Sequence, residues 1–265
     1  MRALATLIVL LSCPVFAQEF DVVDVKPNHS NEALGSGSIL PSGQFRAINI
    51  PLKEIIKFAF NVRDEAIIGA PGWVEAEHYD IVGKAPPVGR EEVFWRSTSA
   101  VQLMQFTYNW DDTFRMMVQS LLADRFKLTF HRDQKQMNVY ALIAAKGGPK
   151  IEQAADPSGR PACMRTVGER LQAVATCKNV TMADFARAMQ AVAPLYADRT
   201  VVDLTGLEGS YDLKLTWFGK LGPDDEARGI GFPEALEKQL GLKMDGRKLP
   251  VPVIVIDRVE KPSDN

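Results

Sequence analysis

The sequence predicts an α+β protein. Two tandem βαββαβ-like repeats lay their helices on one face of mostly antiparallel sheets. Three observations lead there. Four landmarks recur in the same order, four amphipathic helices share one apolar spacing, and strand-like runs lie between those helices. The landmarks are Asn49-Ile50-Pro51-Leu52-Lys53-Glu54-Ile55-Ile56-Lys57 with Asn179-Val180-Thr181-Met182-Ala183-Asp184-Phe185-Ala186-Arg187, and Ile67-Ile68…Gly72 with Val201-Val202…Gly206. Tyr79-Asp80-Ile81 matches Tyr211-Asp212-Leu213, and Arg125-Phe126-Lys127-Leu128 matches Gly241-Leu242-Lys243-Met244. Their offset is roughly 115 to 135 residues. Self-similarity on this scale marks a duplicated supersecondary unit.

Each helix is read from its stripe. Leu52, Ile55, Ile56, Ala59 and Phe60 fall on one face, as do Phe114, Met117, Val118, Leu121 and Leu122. Met182, Phe185, Ala186 and Met189 form the third stripe, and Phe232, Ala235, Leu236 and Leu240 the fourth. A single apolar face at this spacing suits a helix laid on a sheet. Pro51 and Pro233 suit first-turn positions. Thr181 with Asp184 has the form of a capping box.

Strands are expected at 20–26, 44–49, 79–84, 127–132 and 138–144 in the first repeat. The second should have them at 171–176, 210–217, 242–245 and 251–257. Val253-Ile254-Val255-Ile256 is apolar throughout and suits a central strand. Residues 28–43 and 219–231 read as surface loops. Residues 147–161 carry Gly, Pro, Asp and Ser and read as the joint. The division is therefore 1–17 leader, 18–150 first repeat and 151–265 second repeat. Residues 86–110 form an insert in the first repeat with no counterpart in the second.

Residues 1–17 read as a secretory signal. Arg2 precedes an apolar run from Ala3 to Leu11, too short to span a bilayer. Val15-Phe16-Ala17 offers small residues for cleavage before Gln18. A competing reading is a lipobox, Leu10-Leu11-Ser12-Cys13, with a lipid anchor on Cys13. No later run is apolar enough to span a membrane. Cleavage takes the net charge from −2 to −3, near neutral for a chain of this length. Nucleic acid is therefore a poor partner, because its binders show a basic footprint. After the leader only Cys163 and Cys177 remain. An oxidising compartment would join them as a disulfide. A metal pair is the alternative, but no histidine lies near them in sequence.

Several landmarks resemble a known family. They include Phe20-Asp21-Val22-Val23-Asp24-Val25-Lys26-Pro27, Ser120-Leu121-Leu122-Ala123-Asp124-Arg125-Phe126-Lys127-Leu128 and Ala145-Lys146-Gly147-Gly148-Pro149-Lys150. Val202-Asp203-Leu204-Thr205-Gly206-Leu207 and Val255-Ile256-Asp257-Arg258-Val259-Glu260-Lys261-Pro262-Ser263 complete the pattern. Together they resemble the soil-associated secreted family of unknown function. The resemblance implies export and brings no activity and no catalytic residues. Its association with membrane-bound sensor-type peptidases implies an extracytoplasmic sensing or binding role. Each half is also similar in element order to the short docking domains of secretins and TonB-dependent receptors.

The search for chemistry assigns no catalytic, cofactor-binding or metal residue, and no cofactor. His131-Arg132-Asp133-Gln134-Lys135-Gln136-Met137-Asn138 mimics a kinase catalytic loop, yet no Gly-rich loop or Asp-Phe-Gly accompanies it. It reads instead as a charged β-hairpin, matched by a turn at Asp245-Gly246-Arg247-Lys248. Gly35-Ser36-Gly37-Ser38 misses the nucleophile-elbow spacing. His29, His78 and His131 are scattered. Glu75 with Glu77, Glu91-Glu92 and Asp224-Asp225-Glu226 read as solvated acids. The candidate binding patch is aromatic: Phe94, Trp95, Phe106, Tyr108 and Trp110, all in the insert; the alternative for these residues is a small satellite core that covers the sheet. Trp and Tyr dominate interface hot spots, so the expected partner is a protein, peptide or glycan. The expectation is a non-enzymatic binding or sensing module. The alternatives are a secreted hydrolase with its site between the repeats, and a lipid-anchored envelope scaffold.

Overall fold

Two long strands run through both halves of the protein and set its layout. The computed structural model describes residues 19–262, apart from 31, 33–34, 41, 86–92, 97–105, 110–111, 170–171 and 220–228. For residues 39, 93–96 and 106–109 it describes the backbone alone. The fold is α+β, with five α-helices among the described residues and mostly antiparallel sheets.

The first sheet contains β1 (Val22–Asn28), β2 (Ser36–Ile39), β3 (Gln44–Pro51), β5 (His78–Lys84) and β6 (Val93–Arg96), in the order β1-β5-β3-β2-β6. Helices α1 (Leu52–Phe60) and α3 (Asp112–Arg125) bury their predicted stripes in its core, and the short α2 (Trp73–Ala76) adds Val74. A second sheet has the order β7-β10-β11-β13-β9: β7 (Phe106–Asn109), β10 (Ala162–Val167), β11 (Ala173–Val180), β13 (Tyr211–Trp217) and β9 (Glu152–Gln153). Helices α4 (Met182–Val192) and α5 (Phe232–Leu240) pack in that second core.

The long strands are β8 (Thr129–Ala144) and β14 (Leu242–Arg258). They pair antiparallel from Leu242 opposite Ala144 to Arg258 opposite Thr129. β4 (Ile67–Ile68) lies parallel to β14, and β12 (Val201–Asp203) lies parallel to β8. Each core thus takes strands from both sides of residue 150. Ile254 and Ile256 of β14 are buried in the first core, and Leu142 of β8 in the second.

These pairings revise several expectations. No hairpin exists at 131–138 and no turn at 245–248, because both stretches lie inside the continuous β8–β14 ladder. Charge suggested a turn there. In the ribbon the charged side chains at 131–135 and at Arg247 and Lys248 are exposed, and the ladder satisfies the backbone. Pro250 and Pro252 share parity and so place both ring nitrogens toward one edge of β14. Over 246–252 no described strand adjoins β14 besides β8, so a proline costs no ladder bond on the free edge. The expected loop at 28–43 contains β2, and β10 lies just beyond the expected joint. Gly35 leads into β2 past the carbonyl oxygen of Asn49, which would lie 2.2 Å from any Cβ there. Only glycine fits.

Both inner strands enter their helices through the same device. Register slips between Ala47 and Ile50 in β3, and between Cys177 and Val180 in β11. Asn49 and Asn179 sit in these bulges at φ 54° and 52°, a region asparagine tolerates better than most residues. The N–H of Asn49 donates to Asp80 Oδ1 at 2.8 Å, and that of Asn179 to Asp212 Oδ1 at 2.9 Å. The Asn49 amide donates to the Glu32 carbonyl at 2.8 Å, and that of Asn179 to the Gly159 carbonyl. Thr181 and Asp184 then close a capping box at α4.

The hydrogen bond from Lys178, joined by that from the Asn179 N–H, holds the Asp212 carboxyl below the usual carboxylate range. A carboxyl depressed on folding contributes stability above its unfolded value near 3.9, and loses it as pH falls through the folded value. Stability should therefore drop below about pH 4. Asp212→Asn should flatten part of that drop, measured by urea denaturation between pH 2 and 6. An unchanged acid profile would show that this carboxylate does not anchor the bulge.

Candidate functional site

Between the two cores, over the β8–β14 ribbon, lies an open cleft of about 660 Å3. That size is in the range of small-molecule sites. The first core supplies the end of α1 and one side of α3, through Val62, Arg63, Met116 and Gln119. The second supplies α4 and β12, through Ala186, Arg187, Gln190 and Val201. Arg132, Val251 and Pro252 of the ribbon complete it.

Local chemistry fixes each wall. Asn61 takes a left-handed conformation at the end of α1, with φ 50°. The chain turns there, and the Arg63 guanidinium reaches the other core. It donates to the carbonyls of Ala197 at 3.1 Å and Asp198 at 2.6 Å, and to Glu65 at 2.8 Å. On the opposite wall the Thr181–Asp184 cap starts α4, and Asp184 accepts a hydrogen bond from Arg187. Asp203, the last residue of β12, accepts from the backbone and hydroxyl of Thr205 at 2.9 and 2.8 Å.

Five arginines line the cleft: Arg63, Arg115, Arg132, Arg187 and Arg199. Arg115 pairs with Asp112 at 3.0 Å. Arg199 lies 3.4 Å from Asp198 and 4.8 Å over the Tyr140 ring. The Arg199 contact, with help from the Tyr140 hydroxyl, holds the Asp198 carboxyl below its ordinary range. Arg132 has no ion pair or hydrogen bond among the described residues and is exposed. Guanidinium forks match the planar geometry of carboxylates and phosphates. Among the described residues two carboxylates line the cleft, Asp112 and Asp203, both engaged within the protein, and no histidine does.

The structure divides the predicted aromatic patch. Phe94 and Trp95 belong to β6, opposite Ser38 and Gly37 of the first sheet. Phe106 and Tyr108 belong to β7, opposite Arg165 and Cys163 of the second. Trp110 lies outside the described residues. The segment read as one insert therefore gives one edge strand to each sheet. The disulfide is formed: Cys163 and Cys177 face each other across β10 and β11, both buried. Two residues on, Arg165 is 8 % exposed and lies 5.9 Å over the Trp217 ring. Burial pushes its pKa down, and its Nε and Nη1 have no hydrogen-bond partner among the described residues.

The remaining expectations resolve individually. His78 Nδ1 lies 2.9 Å from Asn49 Oδ1, and His131 Nδ1 lies 2.8 Å from Asp257. Glu75 pairs with Lys53 and Glu77 with Lys261. Glu91-Glu92 and Asp224-Asp225-Glu226 lie outside the described residues. Gly35-Ser36-Gly37-Ser38 leads into and forms most of β2. Sequence reading missed the cleft arginines, which are scattered over 136 residues, from Arg63 to Arg199. A usable signal existed for Arg165, which alternates with Cys163 on the buried face of a strand.

The chain belongs to DUF3738, a family of proteins of unknown function, which it matches over residues 53–259. No curated protein and no solved structure matches it. Among the described residues no helix is long and apolar enough to cross a membrane, and no group of three His, Cys, Asp or Glu side chains is placed to hold a metal.

The disulfide closes a separation of 14 residues. Replacing both cysteines with serine should cost about 3 kcal/mol in the chain-entropy account. Guanidinium denaturation of the oxidised protein and the double variant measures this. Equal stabilities would remove the disulfide from the list of supports of the second sheet.

Proposed function

We propose that this chain is an exported, non-enzymatic binding module, built from two copies of one βαββαβ unit, with its ligand site in the cleft between them. The cleft carries the reading. Both cores wall it, its size suits a small ligand, and its lining acids are committed to internal contacts. Duplication is supported by the sheets: β1-β5-β3-β2-β6 corresponds to β9-β13-β11-β10-β7. The paired bulges at Asn49 and Asn179 fall at equivalent places in that scheme. Export is supported by the leader-like residues 1–17, by the disulfide, and by the resemblance to soil-associated secreted proteins. Sensing or scavenging outside the cytoplasm follows from a ligand cleft on such a protein.

Two measurements test this reading. The intact mass of the protein recovered from its native host should correspond to a chain beginning at Gln18. A diacylglycerol on Cys13 would replace export by anchoring. Met116 lines the cleft and is 48 % exposed, so Met116→Trp should fill space without disturbing a core. Fragments that bind the protein in saturation-transfer NMR should lose their signal in this variant. Undiminished binding would rule out the cleft.

A further inference from the structure

We infer that the cleft binds a small organic carboxylate, with its anionic end on Arg132 and its apolar part against Met116, Val62 and Pro252. This rests on the cleft being the ligand site and adds what kind of ligand it selects.

The argument begins with unequal arginines. Arg63 spends its donors on Glu65, Ala197 and Asp198 and ties the two cores together. Arg115 is buried and pairs with Asp112. Arg132 differs: it lines the cleft from β8, is exposed, and has neither ion pair nor hydrogen bond among the described residues. A guanidinium carries five N–H donors. Arg187 and Arg199 each meet a carboxylate through one nitrogen and retain donors for a second anion. Gln190 is exposed on the same wall.

The acids cannot serve as well as the bases. Asp112 pairs with Arg115, and Asp203 caps the turn at Thr205. A cationic ligand would have to compete with those internal partners. An anion meets an unpaired guanidinium instead, and the fork geometry favours carboxylate oxygens. Met116, Val62, Val251 and Pro252 give the same cleft an apolar component. A lining that combines apolar side chains with guanidinium groups suits organic anions better than inorganic ones.

A matched pair of fluorescent probes tests the inference. Dansylglycine carries a carboxylate, and dansylglycinamide is its neutral analogue of nearly equal shape. The mature chain should bind dansylglycine about tenfold more tightly than the amide, the scale of one charge-assisted hydrogen bond. Arg132→Gln should abolish that preference, bringing the two probes to equal affinity. Met116→Trp should weaken both probes. Equal binding of the two probes by the unaltered protein would overturn the carboxylate inference and leave the cleft reading standing. So would a preference that survives Arg132→Gln. Probe binding that ignores Met116→Trp would sink the cleft reading itself. No binding of either probe would overturn the carboxylate inference.

Discussion

The β8–β14 ribbon is the constraint on which the rest depends. Neither core is complete without a strand from the other half of the chain. Ile254 and Ile256 close the first core, and Leu142 closes the second. Burying a side chain of this size contributes roughly 1.5 to 3 kcal/mol, a large part of a marginal total. A lone two-stranded ribbon is barely stable in water. This one is anchored at its two ends, where β4 and β12 add parallel neighbours and burial reaches both faces, at Val253 and Ile254 and at Ala141 and Leu142. The two halves are therefore expected to unfold together.

The same ribbon makes the cleft. Sixteen extended residues span about 50 Å, more than one core can cover. Each core packs near one end, and between them Gln134, Lys135 and Gln136 are exposed opposite Pro252, Val251 and Pro250, of which Val251 is buried. Space between the cores is thus a product of strand length. Arg63 limits it by bridging from the end of α1 to the loop after α4. The floor of the cleft is then rigid backbone ladder, and its walls are helix faces fixed by their own cores. Such a site is largely formed before any ligand arrives, which keeps the ordering cost of binding low.

What could be read from the sequence follows from which interactions are local. The four long helices and their buried stripes were legible because one helix face is decided within about ten residues. The Thr181–Asp184 cap was legible for the same reason. The ribbon was not. Its two strands are separated by about 100 residues, and its central charges imitate turns. β2 and β10 were hidden because the glycine and serines of β2, and the alanine and arginine of β10, are weak strand signals until a neighbouring strand supplies the pairing. The cleft was invisible in sequence. Arg63, Arg132 and Arg187 share no motif and meet only through the fold.

The insert shows how a long-range pairing can disguise symmetry. In the linear sequence, residues 86–110 belong to the first half alone. In space β6 pairs with β2 at one edge of the first sheet, and β7 pairs with β10 at the corresponding edge of the second. Trp95 stands opposite Gly37, and Tyr108 stands opposite Cys163. Gly37 in turn faces Ala47, as Cys163 faces Cys177. Under the proposed duplication the disulfide therefore occupies the place that a glycine and a buried alanine hold in the first sheet. One sheet fills that position with small side chains, the other with a covalent link. Both edges are supplied by one continuous segment, so the insert is a third tie between the cores, beside the ribbon and the Arg63 bridge.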